Sequence, residues 1–295
     1  MQRTGARGSR RLQISSLALA LVTSACVHAR DFKSPEGRLL DNTAYALQQR
    51  EMRTDFGLVG TEFNNFGAHL GLSYGAHKYF QLGTNFAHNA FSVFNLNFKS
   101  NVVDHRWVGV GLETGVSYMN PRLIWVLPKE YRDAFGDINV FSVPIRAITT
   151  IPAADWMDVS MGLAYQHVSL VGEVSAGDGF GEGSFGRRAF DLEPLLNFYL
   201  GRRVVLSFGG RWSMYSAWYT DLIAEVAVDE GVSVGVRSAE WVSRGPLFNN
   251  TFWASVEFRM GKYTNLRVST TYRLLGDNFP VQVLPAIELY WRFGV

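Results

Sequence analysis

Histidine and serine side chains in one predicted strand raise the question of nucleophilic catalysis. His69 and Ser73 fall on the same face, but four residues of strand separate them by about 13 Å. A nucleophile and its base must lie within hydrogen-bonding distance, so this pair does not qualify. Asp104 and His105 fall in a predicted turn, and no two histidines have the spacing of metal ligands. The sequence therefore predicts no enzyme, no metal site and no cofactor.

Charged side chains instead recur at every second position of segments whose intervening residues are apolar. In the clearest segments, Phe252, Ala254, Val256, Phe258 and Met260 alternate with Trp253, Ser255, Glu257 and Arg259, and Leu266, Val268, Thr270, Tyr272 and Leu274 alternate with Asn265, Arg267, Ser269, Thr271 and Arg273. Successive side chains of a strand point to opposite faces, so each segment has one apolar and one wet face.

The wet faces carry both signs of charge, and we predict that they line an enclosed lumen. The predicted lumen-lining residues are Glu51, Arg53, Asp55, Lys99, Asp191, Glu193, Arg211, Glu257, Arg259, Arg267, Arg273, Glu288 and Arg292. Two interpretations stay open: a narrow polar channel with a charged constriction, or a salt-bridged filling of the interior. Three of the arginines, Arg259, Arg267 and Arg273, fall on neighbouring strands and would favour anions, although Glu257 and Glu288 oppose them.

Alternation of this kind predicts an all-β fold, a transmembrane antiparallel up-and-down barrel of about twelve strands over residues 50–295. The predicted strands lie near 50–60, 67–75, 79–86, 91–99, 107–118, 138–150, 156–170, 188–200, 203–215, 250–260, 264–275 and 283–295. After residue 29, no apolar run approaches the roughly twenty residues that a membrane helix needs. Pro144, Pro194 and Pro285 fall inside strands, where we expect a bulge or a shifted strand start.

The connections between the predicted strands alternate in length. Short turns alternate with connections that include three long loops at 119–137, 171–187 and 216–249. We interpret residues 222–238 as a hairpin inside the last loop, and the alternative is that they span the membrane. The glycine-rich 177–183 segment reads as a flexible loop in preference to a calcium site. Sorting of loops by length is typical of outer-membrane barrels.

Aromatic residues gather at the predicted strand ends, as interfacial girdles do. On the short-turn side these are Tyr79, Phe80, Trp107, Trp156, Tyr263, Trp291 and Phe293, and towards the long loops they are Tyr118, Trp218, Tyr219, Trp253 and Phe279.

The last predicted strand is apolar at every second position up to the final residue: Ile287, Leu289, Trp291, Phe293 and Val295. This pattern resembles the C-terminal assembly signal of bacterial outer-membrane β-barrel proteins, which usually ends in an aromatic residue, so Val295 is a departure. The resemblance implies a Gram-negative outer-membrane location, contact with lipid and lipopolysaccharide, and insertion by the barrel-assembly machinery.

The N-terminus predicts export. A leader with four arginines precedes the apolar stretch 12–25, and Val27-His28-Ala29 offers a cleavage site, so residues 1–29 read as a signal peptide. Cys26, the one cysteine, then leaves with the signal, because Thr23-Ser24-Ala25-Cys26 is a poor match to a lipidation signal. Cleavage leaves 24 basic residues, the 28 of the full chain less those four arginines, against 26 acidic ones. A near-neutral exported chain indicates no nucleic-acid partner.

Residues 30–49 read as a short periplasmic segment ahead of the barrel. We expect a porin-like protein for passive passage of small hydrophilic solutes. The alternative is a closed barrel that displays its long loops for binding or adhesion, with an enzyme in third place.

Overall fold

In the part of the chain that the structure describes, thirteen strands form one antiparallel sheet, and twelve of them close into a barrel. The computed structural model describes residues 37–60, 66–87, 93–120, 129, 138–176, 179–226, 239–243, 250–261, 263–273 and 282–294. The strands are β1 (Glu51–Gly60), β2 (Phe66–His77), β3 (Phe80–Asn85), β4 (Val93–His105), β5 (Val108–Met119), β6 (Asn139–Ala154), β7 (Met157–Ala176), β8 (Gly179–Tyr199), β9 (Val204–Val226), β10 (Ala239–Ser243), β11 (Thr251–Arg259), β12 (Thr264–Arg273) and β13 (Gln282–Gly294). Within these ranges no helix has the length and apolar character to cross a membrane.

The ring is closed by two sets of strand pairs. β13 pairs with β1, and β9 pairs with β8 on one side and with β11 on the other. β10 pairs only with the distal part of β9, at residues 216–220, and stays outside the ring. The twelve predicted spanning strands and the all-β barrel are therefore confirmed.

Three strands run well past their predicted ends. β7, β8 and β9 contain 20, 21 and 23 residues, so most of the predicted 171–187 loop and the start of the 216–249 loop are strand. Residues 222–226 complete β9, and residues 227–238 lie outside the described ranges, so the predicted 222–238 hairpin stays a prediction. Strands that extend beyond the barrel stay hydrogen-bonded to each other. The secondary structure therefore does not change where the strands leave the membrane.

Two prolines sit where a ladder is interrupted. Between β5 and β6 the pairing stops at Ile145 and resumes at Ser142, which leaves out Pro144. Between β8 and β9 it stops at Leu192 and resumes at Leu195, which leaves out Pro194. Each proline keeps its register with the strand on its other side, Pro144 opposite Gln166 and Pro194 opposite Met161. A pairing gap on one side, rather than a bulge or a shifted start, accommodates the missing N–H.

The outer surface of the barrel is apolar. Large hydrophobic side chains at alternating positions are two-fifths to half exposed, among them Phe56, Leu58, Leu96, Leu112, Ile145, Met161, Leu163, Phe208, Phe252, Val268 and Ile287. The residues between them are polar and buried, including Glu51, Arg53 and Asp55 of β1. An apolar belt of this extent around a closed sheet is what a lipid environment requires.

The aromatic residues that were predicted to form the girdles lie in two kinds of place, at the short turns and on the inner wall of the barrel. Tyr79, Trp107 and Trp156 sit at short turns and are 42–62% exposed, as interfacial anchors are. Trp253 differs from the girdle prediction, because it shares its parity with Ser255 and its indole lies against Gly209 on the inner wall. Phe279 lies outside the described residues.

A charge placed on the outer face tests the lipid belt. Val268 lies near the middle of β12, opposite Val256 and Ile287. We expect Val268→Lys to lower the free energy of unfolding by about 2–4 kcal/mol, because a lysine at the bilayer midplane loses its hydration. Urea unfolding in phospholipid vesicles measures this, with Val268→Leu as the matched apolar control. A loss within about 0.5 kcal/mol for the lysine variant would place Val268 away from lipid.

Candidate functional site: a lumen closed by the N-terminal segment

The described part of the chain ahead of β1 lies inside the barrel. Residues 37–50, called the plug here, contact inward-facing side chains of strands from all around the wall. Its anchor on the short-turn side is Arg38, whose guanidinium donates to the Asp158 carboxylate of β7 at 2.7 Å. The sequence predicted a periplasmic segment over 30–49; residues 37–49 are instead within the lumen, because its wall offers partners for their polar groups.

The plug turns at Asp41 and Asn42. Asn42 has a φ of 58°, a left-handed conformation that asparagine tolerates better than most residues. Beyond the turn the chain returns to the short-turn side, and Arg50, at a φ of 63°, leads into β1 while its N–H donates to the Gly75 carbonyl at 2.8 Å. The plug is therefore an irregular loop that enters and leaves on the side of the short turns.

The polar contacts of the plug are spread over the wall. The Leu40 carbonyl accepts from the Lys99 ammonium at 2.6 Å, and the Ala44 N–H donates to the Thr150 hydroxyl at 2.8 Å. The Leu47 N–H donates to the side chain of Gln81 at 2.9 Å. The wall thus supplies the hydrogen bonds that an irregular backbone segment lacks within itself.

Glycines on the wall let the plug approach closely. A Cβ atom at Gly75 would lie 1.9 Å from the Gln48 carbonyl oxygen, and one at Gly111 would lie 3.0 Å from the Ala44 carbonyl oxygen. Only glycine leaves room for the plug backbone at position 75, whereas at position 111 a Cβ would require the plug to shift by a few tenths of an ångström. Apolar packing adds to this fit, since Leu39 forms a buried cluster with Tyr199 and Val205.

Two arginines of the wall converge on the plug carboxylate. Asp41 lies 2.6 Å from Nη1 of Arg53 in β1 and 2.5 Å from Nη2 of Arg267 in β12. Burial by itself would raise the pKa of the Asp41 carboxyl, but the two guanidinium groups outweigh it and hold that pKa well below its usual range. Asp41 is therefore ionised at neutral pH and fastens the plug turn to the wall.

Carboxylates of the wall complete this first network. Arg53 pairs with Asp55 at 2.5 Å and with Glu288 at 2.8 Å. Arg267 pairs with Glu257 at 2.8 Å and with Glu288 at 3.3 Å. As predicted from the sequence, glutamates oppose the charge of Arg267. Arg267 therefore presents no unpaired positive charge to the lumen.

A second network crosses the opposite wall. Glu113 bridges Lys99 at 2.7 Å and Arg146 at 3.1 Å. Glu193 then bridges Arg146 at 2.5 Å and Arg211 at 2.6 Å. Charged groups on five strands, β4, β5, β6, β8 and β9, are linked in this way.

The remaining predicted residues also lie on the inner wall. Arg292 donates to Glu51 at 2.6 Å near the entry of the plug, and Asp191 lies 3.9 Å from Arg211. Arg259 and Arg273 share the parity of Glu257 and Arg267 towards opposite ends of β11 and β12.

Three functional residues were not predicted from the sequence. Glu113 and Arg146 lie on the inner wall and alternate with largely apolar neighbours, so the period-two pattern could have found them. Nothing in the sequence around Asp41 indicates its partners.

Two cavities remain inside the barrel, and the Asp41–Asn42 turn borders both. The first, of about 320 Å³, lies against β1–β6 and is lined by groups such as His69, Gln81 and Asn97. The second, of about 290 Å³, lies against β8, β9 and β11–β13. Most residues that line the two cavities carry hydroxyl, amide or charged side chains, although the carbon atoms of the lining make up more of the wall than the polar atoms do. Hydroxyl and amide groups are therefore available to polar contents. The described residues contain no group of three or more His, Asp or Glu that could hold a metal; Asp178 is outside them.

Comparisons with known proteins return outer-membrane barrels. No family model matches the chain, and no curated protein is significantly similar to it. Among solved structures, the monoaromatic hydrocarbon channel CymD is 11% identical with a TM-score of 0.41, over 91% of this chain and 95% of that chain. The Ralstonia pickettii toluene transporter TbuX is 10% identical with a TM-score of 0.44, over 90% and 95%. The Escherichia coli outer-membrane protease OmpT is 7% identical with a TM-score of 0.35, over 84% and 94%. These values are too low to transfer a substrate or an activity.

The class of the protein follows from its own geometry. A closed antiparallel ring with an even number of strands, an apolar belt outside and a polar interior is a transmembrane β-barrel of the bacterial outer membrane. Its interior holds the plug, which sets it apart from an open pore.

Removal of the plug carboxylate tests how the plug is held. Asp41→Asn deletes both ion pairs and leaves Arg53 and Arg267 short of one anion. Because the Asp41 side chain is about a third exposed (34%), we discount the cost of breaking a buried pair to the order of 1–2 kcal/mol. Hydrogen–deuterium exchange of the amides in 37–50 should then be about 5–30 times faster. Asp104→Asn, at an exposed carboxylate, is the matched control.

Acidification should weaken the attachment of the plug only at low pH. The pKa of Asp41 is lower in the docked state than its ordinary 3.8, so its contribution is complete at neutral pH and is lost only as the solution becomes more acidic than that. Amide protection in 37–50, taken relative to the intrinsic exchange rate at each pH, should therefore stay constant as the pH falls from neutral to 5, and a steep loss of protection in that range would contradict this role of Asp41.

Proposed function

We propose that this barrel is a channel for small hydrophilic solutes and that the plug closes it in the conformation described. The observation that carries the proposal is the pair of polar cavities of about 320 and 290 Å³ that the plug turn borders. A barrel that only had to fill its interior would have no need of this polar free volume beside an irregular segment.

The chemistry of the lining supports a polar solute. Fixed charges of both signs are paired with one another across the wall, as in Lys99–Glu113 and Arg146–Glu193, so the lumen has no strong preference for one sign of ion. Hydrocarbon passage finds little support in this lining, because a solute without hydrogen-bonding groups would leave the desolvated wall groups without partners. Small uncharged or zwitterionic solutes suit it best.

The nature of the plug contacts supports its displacement. They are hydrogen bonds and ion pairs, which water can replace at a modest net cost for each contact. The plug also buries the side chains of Leu39, Leu40, Ala44 and Leu47, so its displacement exposes apolar surface as well. No regular element of the barrel has to unfold for the segment to leave.

A closed display scaffold is the second candidate, and the long strands favour it. β7, β8 and β9 run to 20–23 residues and carry β10 at their distal end, whereas β3 has six residues. Among the described residues, the wall formed by β7–β10 therefore extends further along the barrel axis than the wall around β3. Phe185 and Trp218 stack on this longer wall with ring centroids 5.3 Å apart, both partly exposed, which would suit a binding surface.

We propose no enzymatic activity. His69 has an acid and an amide nearby, with Nε2 3.6 Å from Asp55 and Nδ1 2.7 Å from the Asn85 amide nitrogen. Ser73, the nearest inward serine along β2, is four residues further along the strand, about 13 Å away. An arrangement of nucleophile, base and orienting group is therefore not assembled among the described residues around this histidine.

We propose for this protein the partners that outer-membrane barrels have in general. The apolar belt contacts membrane lipid; we further propose contact of the long-loop side with lipopolysaccharide. We also propose that the barrel-assembly machinery reads the outward apolar residues of β13, which include Ile287, Leu289 and Trp291. Val295 lies outside the described residues.

A reversible disulfide tests whether movement of the plug opens the channel. A Cβ at Gly109 would lie 3.2 Å from the Cβ of Ala44, close to the roughly 3.5–4.5 Å of a disulfide. We expect Ala44→Cys/Gly109→Cys, in a Cys26→Ser background, to be silent in a planar bilayer when oxidised and to give single-channel steps after reduction. Ala44→Cys alone is the control and should respond to neither treatment.

Two results would contradict the proposal. Equal conductance of the oxidised and reduced pair would mean that solutes pass without movement of the plug. Silence in every state, including a correctly folded variant that lacks residues 37–48, would favour the display scaffold.

A further inference from the structure

The second cavity has a different lining from the first, with a continuous row of small polar side chains. Asn197 of β8 lies opposite Ser207 of β9, Ser207 lies opposite Ser255 of β11, and Ser255 lies opposite Ser269 of β12. All four residues line the cavity, and we call them the serine row. Because neighbouring strands are about 4.8 Å apart, the row presents hydrogen-bonding groups at regular short intervals along the curved wall.

Asn197 lacks the partners that a buried amide needs. Its side chain is 0% exposed, and neither the amide nitrogen nor the amide oxygen has a hydrogen-bond partner among the described residues. Buried side-chain amides are rarely left in this state, because each unsatisfied group retains its desolvation cost. Asn197 is among the residues that border the cavity, and a hydroxylated molecule bound there could supply both missing partners once the side chains that cover the amide move aside.

An aromatic face borders the same cavity. Trp253 follows the parity of Ser255 two residues along β11, about 7 Å from the serine row. Its indole lies against the backbone of Gly209, where a Cβ would come within 2.2 Å of Cζ2. The ring is thereby held by the wall, and it offers an apolar surface beside the hydroxyl and amide groups. This combination suits a molecule with one face of C–H groups and a rim of hydroxyls.

The charged groups around the cavity select against ions. Arg267, Glu288 and Asp41 all border it, yet Arg267 pairs with Asp41 at 2.5 Å and with Glu288 at 3.3 Å. An anionic or cationic ligand would have to compete with these pairs. A neutral ligand can accept and donate at their edges without breaking them.

We propose that this cavity is a binding site for a neutral polyhydroxylated solute, a single sugar ring in chemical class. The C–H face of the ring would lie on Trp253, and its hydroxyls would bind Asn197 and the serines of the row. The volume of about 290 Å³ is at the lower end of the roughly 300–1,000 Å³ of ligand pockets, which limits the site to a small solute. The inference rests on the proposed function in taking the lumen as a solute route, but binding itself needs no conduction.

Titration calorimetry of the intact mature barrel tests the site. The protein is kept in an amine-oxide detergent, because detergents with sugar headgroups would compete. D-glucose and D-galactose are the probes, with succinate as a charged and toluene as an apolar comparison. We expect saturable binding of at least one of the two sugars and none of succinate or toluene.

Two substitutions assign the binding to the cavity. Asn197→Leu should weaken sugar binding about tenfold or more while leaving the unfolding midpoint unchanged or raised, because the amide it removes has no partner. Trp253→Leu should weaken binding by about tenfold through loss of the ring contact. Ser73→Ala, an inward serine that lines the first cavity, is the matched control and should bind as the unsubstituted protein does.

The outcomes separate this inference from the proposed function. No binding of either sugar, binding of succinate or toluene instead, or unchanged sugar binding in both Asn197→Leu and Trp253→Leu would overturn the site. Conductance without sugar binding would overturn only the site. Sugar binding by a barrel that stays silent in every plug state would overturn only the channel.

Discussion

Backbone hydrogen bonding at membrane depth is the constraint on which the rest of the structure depends. Lipid offers no partner to an N–H or a carbonyl, so the strands must pair around a complete ring. The pairing of β13 with β1 and of β9 with both β8 and β11 meets this requirement. Pro144 and Pro194 are tolerated because each interrupts one ladder only. Closure then fixes two environments, lipid outside and an enclosed lumen inside, and side chains sort between them.

Inside the ring, the cost of burying charge organises the lumen. A guanidinium or carboxylate removed from water is stable only when it is paired and hydrogen-bonded. Arg53 and Arg267 therefore gather Asp55, Glu257 and Glu288, and Asp41 of the plug completes the set. The lumen wall and the plug form one electrostatic unit, since a carboxylate from outside the barrel strands lies between two wall arginines.

The lumen changes character along its axis. Towards the short turns, inward positions hold Tyr199, Val205 and Ile148, which are fully or nearly fully buried. These apolar residues are stable on the inner face because the plug and neighbouring side chains cover them, not water. Beyond the plug turn the wall becomes polar and the two cavities open. A polar space bounded by a segment without strand or long-helix structure is the observation from which we propose a channel with a removable closure.

The period-two alternation by itself determined the number of strands in the ring, the approximate position of each and the face on which Glu257, Arg267 and Ile287 lie, because the direction of a strand side chain is a local property. It did not reveal how far β7–β9 project, since a ladder continues beyond the membrane edge without any change of pattern. It assigned Trp253 to a girdle, although that residue lies on the inner wall against Gly209. Only the tertiary structure placed residues 37–50 in the lumen and Asp41 between Arg53 and Arg267. Those contacts join positions far apart in the chain, and they exist because closure of the ring brings β1 and β12 to the same side of the plug.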